Sequence, residues 1–256
     1  MNSGENAATE GPEIGAYSQE IFEISEDFLA TILSSLKAYG YAYLKQRHSP
    51  ATFELIARWM GKLASRSDIR IDVERVQVQQ RTRKVKNRPS AYQAHALDFH
   101  SDNPHMNVLA WYCMEQDESE GTMLLVDSAD LGGYFSTDEL SILEGINIQV
   151  SERLLDSEEE KFTLEPLVSR DRKGYRVYYQ PWLLLDSYDP EQAAALKRFS
   201  AYLKHKQTMQ LLRVPIKKYQ SLFIDNNRIL HGRGAIAQSS KRHLVRFFIQ
   251  TGRVRT

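Results

Sequence analysis

Apolar residues recur at every third or fourth position in several segments of the chain, and this spacing predicts amphipathic helices. One helix is predicted at Glu26–Tyr39, with Ser25 as its N-terminal cap and Gly40 as its stop. A second begins at Pro50, because proline is tolerated in the first turn of a helix. A third is predicted from residue 190 to about residue 206, with apolar positions at Ala194, Leu196, Phe199 and Leu203.

Strands are predicted where apolar residues alternate with polar ones or form short runs between turn signals. The predicted strands cover residues 41–44, 69–78, 123–126, 221–230 and 243–250, together with a hairpin of 167–169 and 175–179. A short helix is predicted at 136–145, where Ser136 and Glu139 have capping-box spacing. The predicted helices come early, the strands are found throughout the chain, and one helix comes late. This order indicates an α+β fold with a mostly antiparallel β core.

Composition narrows the class of protein. The 256 residues contain 33 Lys and Arg against 33 Asp and Glu, and this zero net charge argues against a nucleic-acid or membrane-surface partner. The single cysteine, Cys113, excludes an internal disulfide framework and a multi-cysteine metal site. With neither a signal-peptide pattern nor a membrane-spanning run, we expect a soluble cytoplasmic protein. We expect a flexible tail over 1–15 and one domain over 16–256.

His100 and Asp102 stand two residues apart in Phe99-His-Ser-Asp-Asn-Pro104. On an extended backbone such side chains point the same way, so an imidazole and a carboxylate converge and form one edge of a metal site. His231, at the end of the apolar run 222–231, is the best candidate for a third ligand. Two imidazoles and one carboxylate form the facial arrangement of non-haem Fe(II) sites, but zinc accepts the same ligands. The three residues alone therefore leave the metal open.

Arg242 and Arg246 share one face of the last predicted strand. Two guanidinium groups facing inward beside a metal site need anionic partners, which a bound dicarboxylate would provide. The alternative is that both arginines face solvent at a sheet edge. Thr122 precedes the predicted strand at 123–126, where its hydroxyl is either a second group for a ligand carboxylate or an ordinary β-branched strand residue.

Four segments in order closely resemble the taurine dioxygenase and clavaminate synthase-like family of Fe(II)- and 2-oxoglutarate-dependent oxygenases. They are Phe99-His-Ser-Asp102, Glu120-Gly-Thr-Met-Leu-Leu-Val-Asp127, Phe223-Ile-Asp-Asn-Asn-Arg-Ile-Leu-His-Gly-Arg233 and Arg242-His-Leu-Val-Arg246. Their order and spacing match from about residue 95 to residue 250. The region before residue 95 fits only as helices flanking a sheet.

This resemblance implies a double-stranded β-helix, the jelly-roll or cupin-like core, with flanking and inserted helices. It implies that His100, Asp102 and His231 hold Fe(II) as the catalytic metal. Arg242 and the Thr122 hydroxyl would bind the distal carboxylate of the cosubstrate 2-oxoglutarate, and O2 would be the second cosubstrate. The expected products from the cosubstrate are succinate and CO2.

The resemblance also bears on the primary substrate. Halogenating family members replace the carboxylate ligand with a small residue, so Asp102 favours hydroxylation, or a related desaturation or cyclisation, of an unactivated C–H bond. We expect a small amino acid or an amino-acid-derived metabolite that bears a carboxylate. Arg246 would meet an acidic group of this substrate, and Gln93 and Asp98 are candidate acceptors for its ammonium group.

Three alternatives stay open at this point. The same oxygenase chemistry could act on an alkylsulfonate or an aryloxy acid. A non-redox zinc hydrolase or iron-binding sensor could use the same ligands, although a hydrolase has no need of an arginine clamp for a dicarboxylate. An interaction module could use the basic segment 81–88, which is otherwise a solvated loop or a lid over the site; zero net charge counts against this module.

Overall fold

The structure is a computed structural model that describes residues 24–64, 70–77, 94–117, 121–153, 160–171 and 174–250. The predicted tail at 1–15, the basic segment 81–88 and Gln93 lie outside these residues. None of the described helices is long and apolar enough to cross a membrane.

The described part of the chain contains five α-helices, one 3-10 turn and thirteen strands. The helices are α1 (Glu26–Tyr39), α2 (Pro50–Ala64), α3 (Leu131–Tyr134), α4 (Thr137–Glu144) and α5 (Pro190–Met209), with the 3-10 turn at Pro181–Leu183. The first strands are β1 (Tyr41–Leu44), β2 (Arg70–Gln77), β3 (Leu97–His100), β4 (Val108–Glu115), β5 (Met123–Asp127), β6 (Asn147–Arg153) and β7 (Glu160–Pro166). The remaining strands are β8 (Val168–Asp171), β9 (Gly174–Val177), β10 (Leu212–Val214), β11 (Ser221–Asp225), β12 (Ile229–Arg233) and β13 (His243–Gln250).

Two antiparallel sheets form the core. The larger sheet has the strand order β1-β11-β4-β13-β2, and the smaller has the order β10-β5-β12-β3. Strand β4 is buried on both faces, so its side chains alternate between two hydrophobic clusters. Leu109 and Trp111 face the smaller sheet, whereas Ala110 and Tyr112 pack with α1 and α2. This arrangement confirms the predicted α+β class and its double-stranded β-helix core with flanking and inserted helices.

Local sequence signals set the ends of the helices. The Ser25 hydroxyl accepts a hydrogen bond from the Phe28 amide at 3.1 Å, and Gly40 stops α1 in the left-handed region at φ 76°. At α4, Ser136 and Glu139 form both hydrogen bonds of a capping box. The predicted bounds of α1, β1 and β13 match the structure, as does the start of α2.

Two details of the sequence prediction are wrong. Residues 221–230 are not one strand, because the Asp225 side chain accepts a hydrogen bond from the Asn227 amide at 2.9 Å and turns the chain there. The strands on either side, β11 and β12, therefore belong to different sheets. In α5 the inward position is Ala195 and not Ala194, which is exposed; the buried residues of this helix are Ala195, Phe199, Tyr202, Leu203 and Lys206. The hairpin of β6 and β7 was not predicted from the sequence.

Candidate active site and metal centre

Strand pairing places two histidines side by side in the smaller sheet. His231 lies at the middle of β12, directly opposite His100 on β3, and the centroids of the two rings are 4.3 Å apart. Strand β3 ends at His100, and Asp102 follows two residues later on the same side. The three side chains predicted from the sequence therefore meet at one point, although they come from two segments far apart along the chain.

The donor atoms of these three residues suit a single metal ion. One ligand atom from each of His100, Asp102 and His231 lies within 4.8 Å of the others. His231 Nε2 is 3.6 Å from Asp102 Oδ2, and His100 Nδ1 is 2.7 Å from the Asp98 carbonyl oxygen, which leaves His100 Nε2 for an ion. A carbonyl oxygen that accepts a hydrogen bond from the other ring nitrogen orients a metal-binding imidazole. Among the described residues, His231 Nδ1 has no hydrogen-bond partner.

Burial keeps both imidazoles in the neutral form that binds metal. Burial is the main cause that lowers the pKa of His100 below its ordinary value of 6.5, although the neighbouring Asp102 raises it. The pKa of His231 is held well below 6.5 by burial and, secondarily, by His100 and Arg246. Two neutral imidazoles and one carboxylate therefore fit a divalent cation by charge and by ligand type.

Arg246 lies against the carboxylate of this cluster. Its Nη1 donates to Asp102 Oδ2 at 2.8 Å, and its guanidinium lies 4.4 Å from the centroid of the Phe248 ring. Arg246 thus has an anionic partner inside the chain. Its predicted contact with a substrate carboxylate stays a prediction.

A cavity of about 150 Å³ opens beside the three residues. Its walls include the aromatic rings of Trp111 and Trp182, which lie 5.0 Å from His231 and 4.9 Å from His100 between ring centroids. The other lining residues are Leu97, His100, Asp102, Met123, His231, Gly232, Arg233, Arg242, Leu244 and Arg246. Among the described lining residues, arginines outnumber carboxylates, and this balance suits anionic ligands.

Arg242 is buried in this wall without a carboxylate bound to it among the described residues. It is 4% exposed, its Nη2 contacts Met123 Sδ at 3.6 Å, and its Nε has no hydrogen-bond partner in the described part of the chain. Burial and the neighbouring Arg233 lower the pKa of Arg242 to about 10. A buried guanidinium with an unmatched donor that faces a cavity fits a ligand carboxylate.

The other predicted site residues are less closely associated with the cavity. Thr122 is half-buried just before β5 and is not among the lining residues of the cavity. Asp98 is exposed, and it reaches His100 through its backbone carbonyl. Gln93 lies outside the described residues. The roles assigned to these three residues stay predictions.

Sequence reasoning missed two buried polar residues at the site. Arg233 follows His231 by two residues on β12 and lines the cavity at 2% exposure. Asn226 is 2% exposed and hydrogen-bonds the backbone around Asp102. Both lie inside the motif that ends in His231-Gly-Arg233, and a search for buried strand positions on the same side as His231 would have found Arg233.

A buried cluster of two histidines and one carboxylate in a double-stranded β-helix, beside buried arginines, fits a non-haem metal-dependent oxygenase. Residues 8–248 match the family described as "Taurine catabolism dioxygenase TauD, TfdA family", and the chain belongs to this family. It is accordingly an oxidoreductase of the dioxygenase class that uses Fe(II), 2-oxoglutarate and O2. The predicted family, enzyme class and cofactors are confirmed, and an enzyme is favoured over a pure interaction module.

Solved structures show the same fold at low sequence identity. An asparagine oxygenase in complex with Fe(II), 2S,3S-3-hydroxyasparagine and succinate is 12% identical, with a TM-score of 0.64 over 89% of this chain and 80% of that one. The non-heme iron oxygenase OrfP in complex with Fe and alpha-ketoglutaric acid is 18% identical, with a TM-score of 0.61 over 88% of this chain and 78% of that one. No curated protein matches the chain in sequence.

Proposed function

We propose that this dioxygenase hydroxylates an unactivated C–H bond of a small amino acid or an amino-acid-derived metabolite, with release of succinate and CO2. His100, Asp102 and His231 would hold the iron. Arg242, with the Thr122 hydroxyl, would bind the distal carboxylate of 2-oxoglutarate. Arg246 would meet the carboxylate of the primary substrate, and Gln93 and Asp98 are candidates to accept hydrogen bonds from its ammonium group.

One observation supports the proposal more than any other: the three ligand atoms meet in the wall of a cavity that also contains an unmatched, buried arginine. A metal site for hydrolysis needs the three ligands and a water, but it has no use for a buried cation aimed at a dicarboxylate. The pairing of this triad with Arg242 therefore favours 2-oxoglutarate chemistry over a zinc hydrolase.

Each residue of the site has a physical role in the reaction. When bound, Fe(II) would supply the open coordination positions and the redox chemistry that activate O2. Arg242 would fix the far end of 2-oxoglutarate by a charge-assisted contact and so set the direction in which its keto acid points. The rings of Trp111 and Trp182 pack against the two histidines and would reduce the access of water, which would strengthen the electrostatic contacts inside the cavity. Arg246 would hold the substrate so that one C–H bond faces the metal.

Similar solved structures support a small amino acid as the substrate. One similar structure contains 3-hydroxyasparagine, and another of OrfP contains (3S)-hydroxy-L-Arg at 14% identity and a TM-score of 0.61 over 89% of this chain and 82% of that one. We place the enzyme in the cytoplasm, a location consistent with its buried free thiol, Cys113.

Succinate release tests this function. The purified chain is supplied with Fe(II), ascorbate and 2-oxoglutarate and is offered amino acids, alkylsulfonates and aryloxy acids one at a time. We expect succinate and a product heavier by one oxygen atom with at least one amino acid, and neither with His231→Ala. His205→Ala, which changes an exposed histidine on α5, is the control and should keep full activity. Turnover confined to the sulfonates or aryloxy acids would overturn the assigned substrate class.

Metal binding gives a second, independent test. We expect calorimetry with Mn²⁺ to show one tight site in the wild type, because Mn²⁺ accepts imidazole and carboxylate ligands but does not turn over. His100→Ala, Asp102→Ala and His231→Ala should each weaken this binding by more than about a hundredfold, since loss of even an outer partner typically costs 10- to 100-fold. Unchanged affinity in any two of these variants would contradict the assigned metal centre.

A further inference from the structure

Of the two tryptophans in the cavity wall, Trp182 is the one that lies outside the core sheets. It belongs to the 3-10 turn Pro181–Leu183, and its ring centroid is 4.9 Å from that of His100, with 60° between the ring planes. The half-buried indole also packs against the hydrophobic cluster that includes Phe199. Trp111, by contrast, is a buried residue of β4. A turn can therefore present a large aromatic ring to the cavity without being part of either sheet.

Three hydrogen bonds attach this turn to the segment that carries two of the proposed metal ligands. The Ser101 amide donates to the Tyr179 carbonyl at 2.9 Å, and the Tyr179 amide donates to Ser101 Oγ at 2.9 Å. Gln180 Nε2 donates to the Ser101 carbonyl at 3.1 Å. Ser101 is 1% exposed and stands between the two ligands in the chain. The place of Trp182 relative to the metal site is therefore fixed by the fold, as a residue that selects a substrate requires.

Trp182 and Arg246 flank the metal site through different ligands. Arg246 donates to Asp102, whereas Trp182 packs against His100, and both side chains line the cavity. A substrate with its carboxylate at Arg246 can extend past the metal ligands and place its side chain against the indole. Trp182 is thus the large apolar surface that such a side chain can meet on the His100 side of the cavity.

The charges of the wall select among side chains. Asp102 is the only acidic residue among the described lining residues, and it is bound to Arg246. The same wall contains Arg233 and Arg242. An indole face can attract a cation, but a second positive charge on the substrate would be desolvated among arginines and would meet no unshared carboxylate among these residues. An uncharged, apolar side chain fits both the indole and the charge of the wall.

We propose that Trp182 determines the specificity for the primary substrate: it selects an amino acid with an uncharged, apolar side chain and limits the bulk of that side chain. The inference rests on the function proposed above and names the substrate class more narrowly. Apolar walls discriminate by size, because a side chain that is too large clashes and one that is too small leaves contacts unmade.

A panel of amino acids tests this role. Succinate and hydroxylated product are measured with l-valine, l-leucine, l-isoleucine, l-methionine and l-phenylalanine, and with l-asparagine, l-glutamate, l-arginine and l-lysine. We expect the best apolar amino acid to exceed each of the last four by at least about tenfold in kcat/KM, in the range that a side-chain pocket provides.

The same panel is then measured with variants of Trp182. Trp182→Ala should raise the KM of the best apolar amino acid by at least about tenfold and change that of 2-oxoglutarate by less than about threefold. It should also shift the order of kcat/KM toward the bulkier apolar amino acids, and Trp182→Phe should give an intermediate order. Tyr39→Ala, which removes an exposed aromatic ring at the end of α1, is the control and should keep the wild-type order.

The outcomes separate this inference from the proposed function. Wild-type protein that hydroxylates no amino acid would overturn both. A wild-type preference for a charged or an amide side chain would overturn this inference and leave amino-acid hydroxylation in place. The wild-type order of substrates in Trp182→Ala, or an equal rise in KM for the amino acid and for 2-oxoglutarate, would show that Trp182 only supports the site. Should Trp182→Ala fail to fold, as judged by thermal unfolding, Trp182→Phe and Trp182→Leu decide, and the wild-type order in both contradicts the inference.

Discussion

The Asn226 side chain hydrogen-bonds the backbone on both sides of Asp102, one of the three proposed metal ligands. Its Oδ1 accepts a hydrogen bond from the Asp102 amide at 2.9 Å, and its Nδ2 donates to the carbonyl of Met106 at 2.9 Å and to that of Asn103 at 3.1 Å. One side chain in the turn between β11 and β12 thus satisfies four backbone groups when the longer contact to the Asp102 carbonyl, at 3.4 Å, is included. The loop that presents the carboxylate is therefore fixed to the turn that precedes His231.

Replacing this amide should loosen the metal site without emptying it. Asn226→Asp keeps the size and the acceptor but turns the donor into an oxygen that faces carbonyl oxygens. We expect the affinity for Mn²⁺ to fall by about 10- to 100-fold, the usual effect of losing a residue that orients a ligand. Calorimetry measures the affinity, with Asn227→Ala as the neighbouring control. Equal Mn²⁺ affinity in Asn226→Asp and the wild type would show that Asn226 stabilises the fold alone.

Gly121 leaves room for the Arg242 side chain, so we expect its replacement to weaken the binding of 2-oxoglutarate. The backbone of Gly121 is in the left-handed region at φ 74°, and a Cβ there would lie 2.7 Å from both Cδ and Nε of Arg242. Gly121→Ala should displace this arginine and weaken 2-oxoglutarate by at least about tenfold in the Mn²⁺-loaded protein, since a charge-assisted hydrogen bond is lost. It should also lower the free energy of unfolding by about 1–3 kcal/mol because of the strained backbone.

Gly133→Ala is the matched control for this substitution. Gly133 has no heavy atom within 4 Å of a built Cβ, and its φ is not in the left-handed region. This variant should bind 2-oxoglutarate like the wild type. Unchanged 2-oxoglutarate affinity in Gly121→Ala would show that Arg242 can move away without loss, and its assignment to the distal carboxylate would then fail.

Features that depend on close neighbours in sequence are predictable here. The ends of α1 follow from Ser25 and Gly40, because helix caps are made by residues within one turn of the helix end. The side chains of His100 and Asp102 point the same way, and this follows from the two-residue period of an extended chain.

Features that depend on pairing between distant segments are harder to predict. That His231 stands opposite His100 is set by the register of β12 against β3, which the apolar pattern of each strand does not encode. The break between β11 and β12 was missed because an apolar run on both sides of Asp225 hides the turn. Arg233 and Asn226 were missed because their burial is a property of the assembled sheets.

His48 should make the stability of the protein depend on pH. Burial lowers its pKa below 6.5, its Nε2 is 3.1 Å from the Ser221 hydroxyl, and it is 7% exposed. The unfolded chain then binds the proton more readily than the folded one, so the stabilisation is complete above pH 6.5 and is lost as the pH falls below that value. The loss can reach about 1.4 kcal/mol per pH unit for one histidine.

Denaturant unfolding of the metal-free protein between about pH 7 and about pH 5 checks this effect. We expect the free energy of unfolding to fall with pH in the wild type and to fall less steeply in His48→Gln. Part of the slope should persist in this variant, since His100 and His231 are also buried with lowered pKa values. His205→Gln, at an exposed position, should keep the wild-type slope. The same slope in His48→Gln would mean that the His48 ring takes up its proton without disturbing the fold.

We propose that Arg246 binds an acidic group of the primary substrate, and replacing it tests this role. One of its nitrogens is bound to Asp102, and its planar head group lies in the cavity wall with further donors in a fixed fork. Arg246→Lys keeps a positive charge beside Asp102, but a point charge cannot reproduce two directed contacts. We therefore expect Arg246→Lys to bind the amino acid about tenfold or more weakly and to release succinate without a matching amount of hydroxylated product. The ratio of product to succinate, measured by mass spectrometry, should stay at the wild-type value in Arg213→Lys. A substrate without an anionic group that Arg246→Ala turns over as well as the wild type would contradict this role.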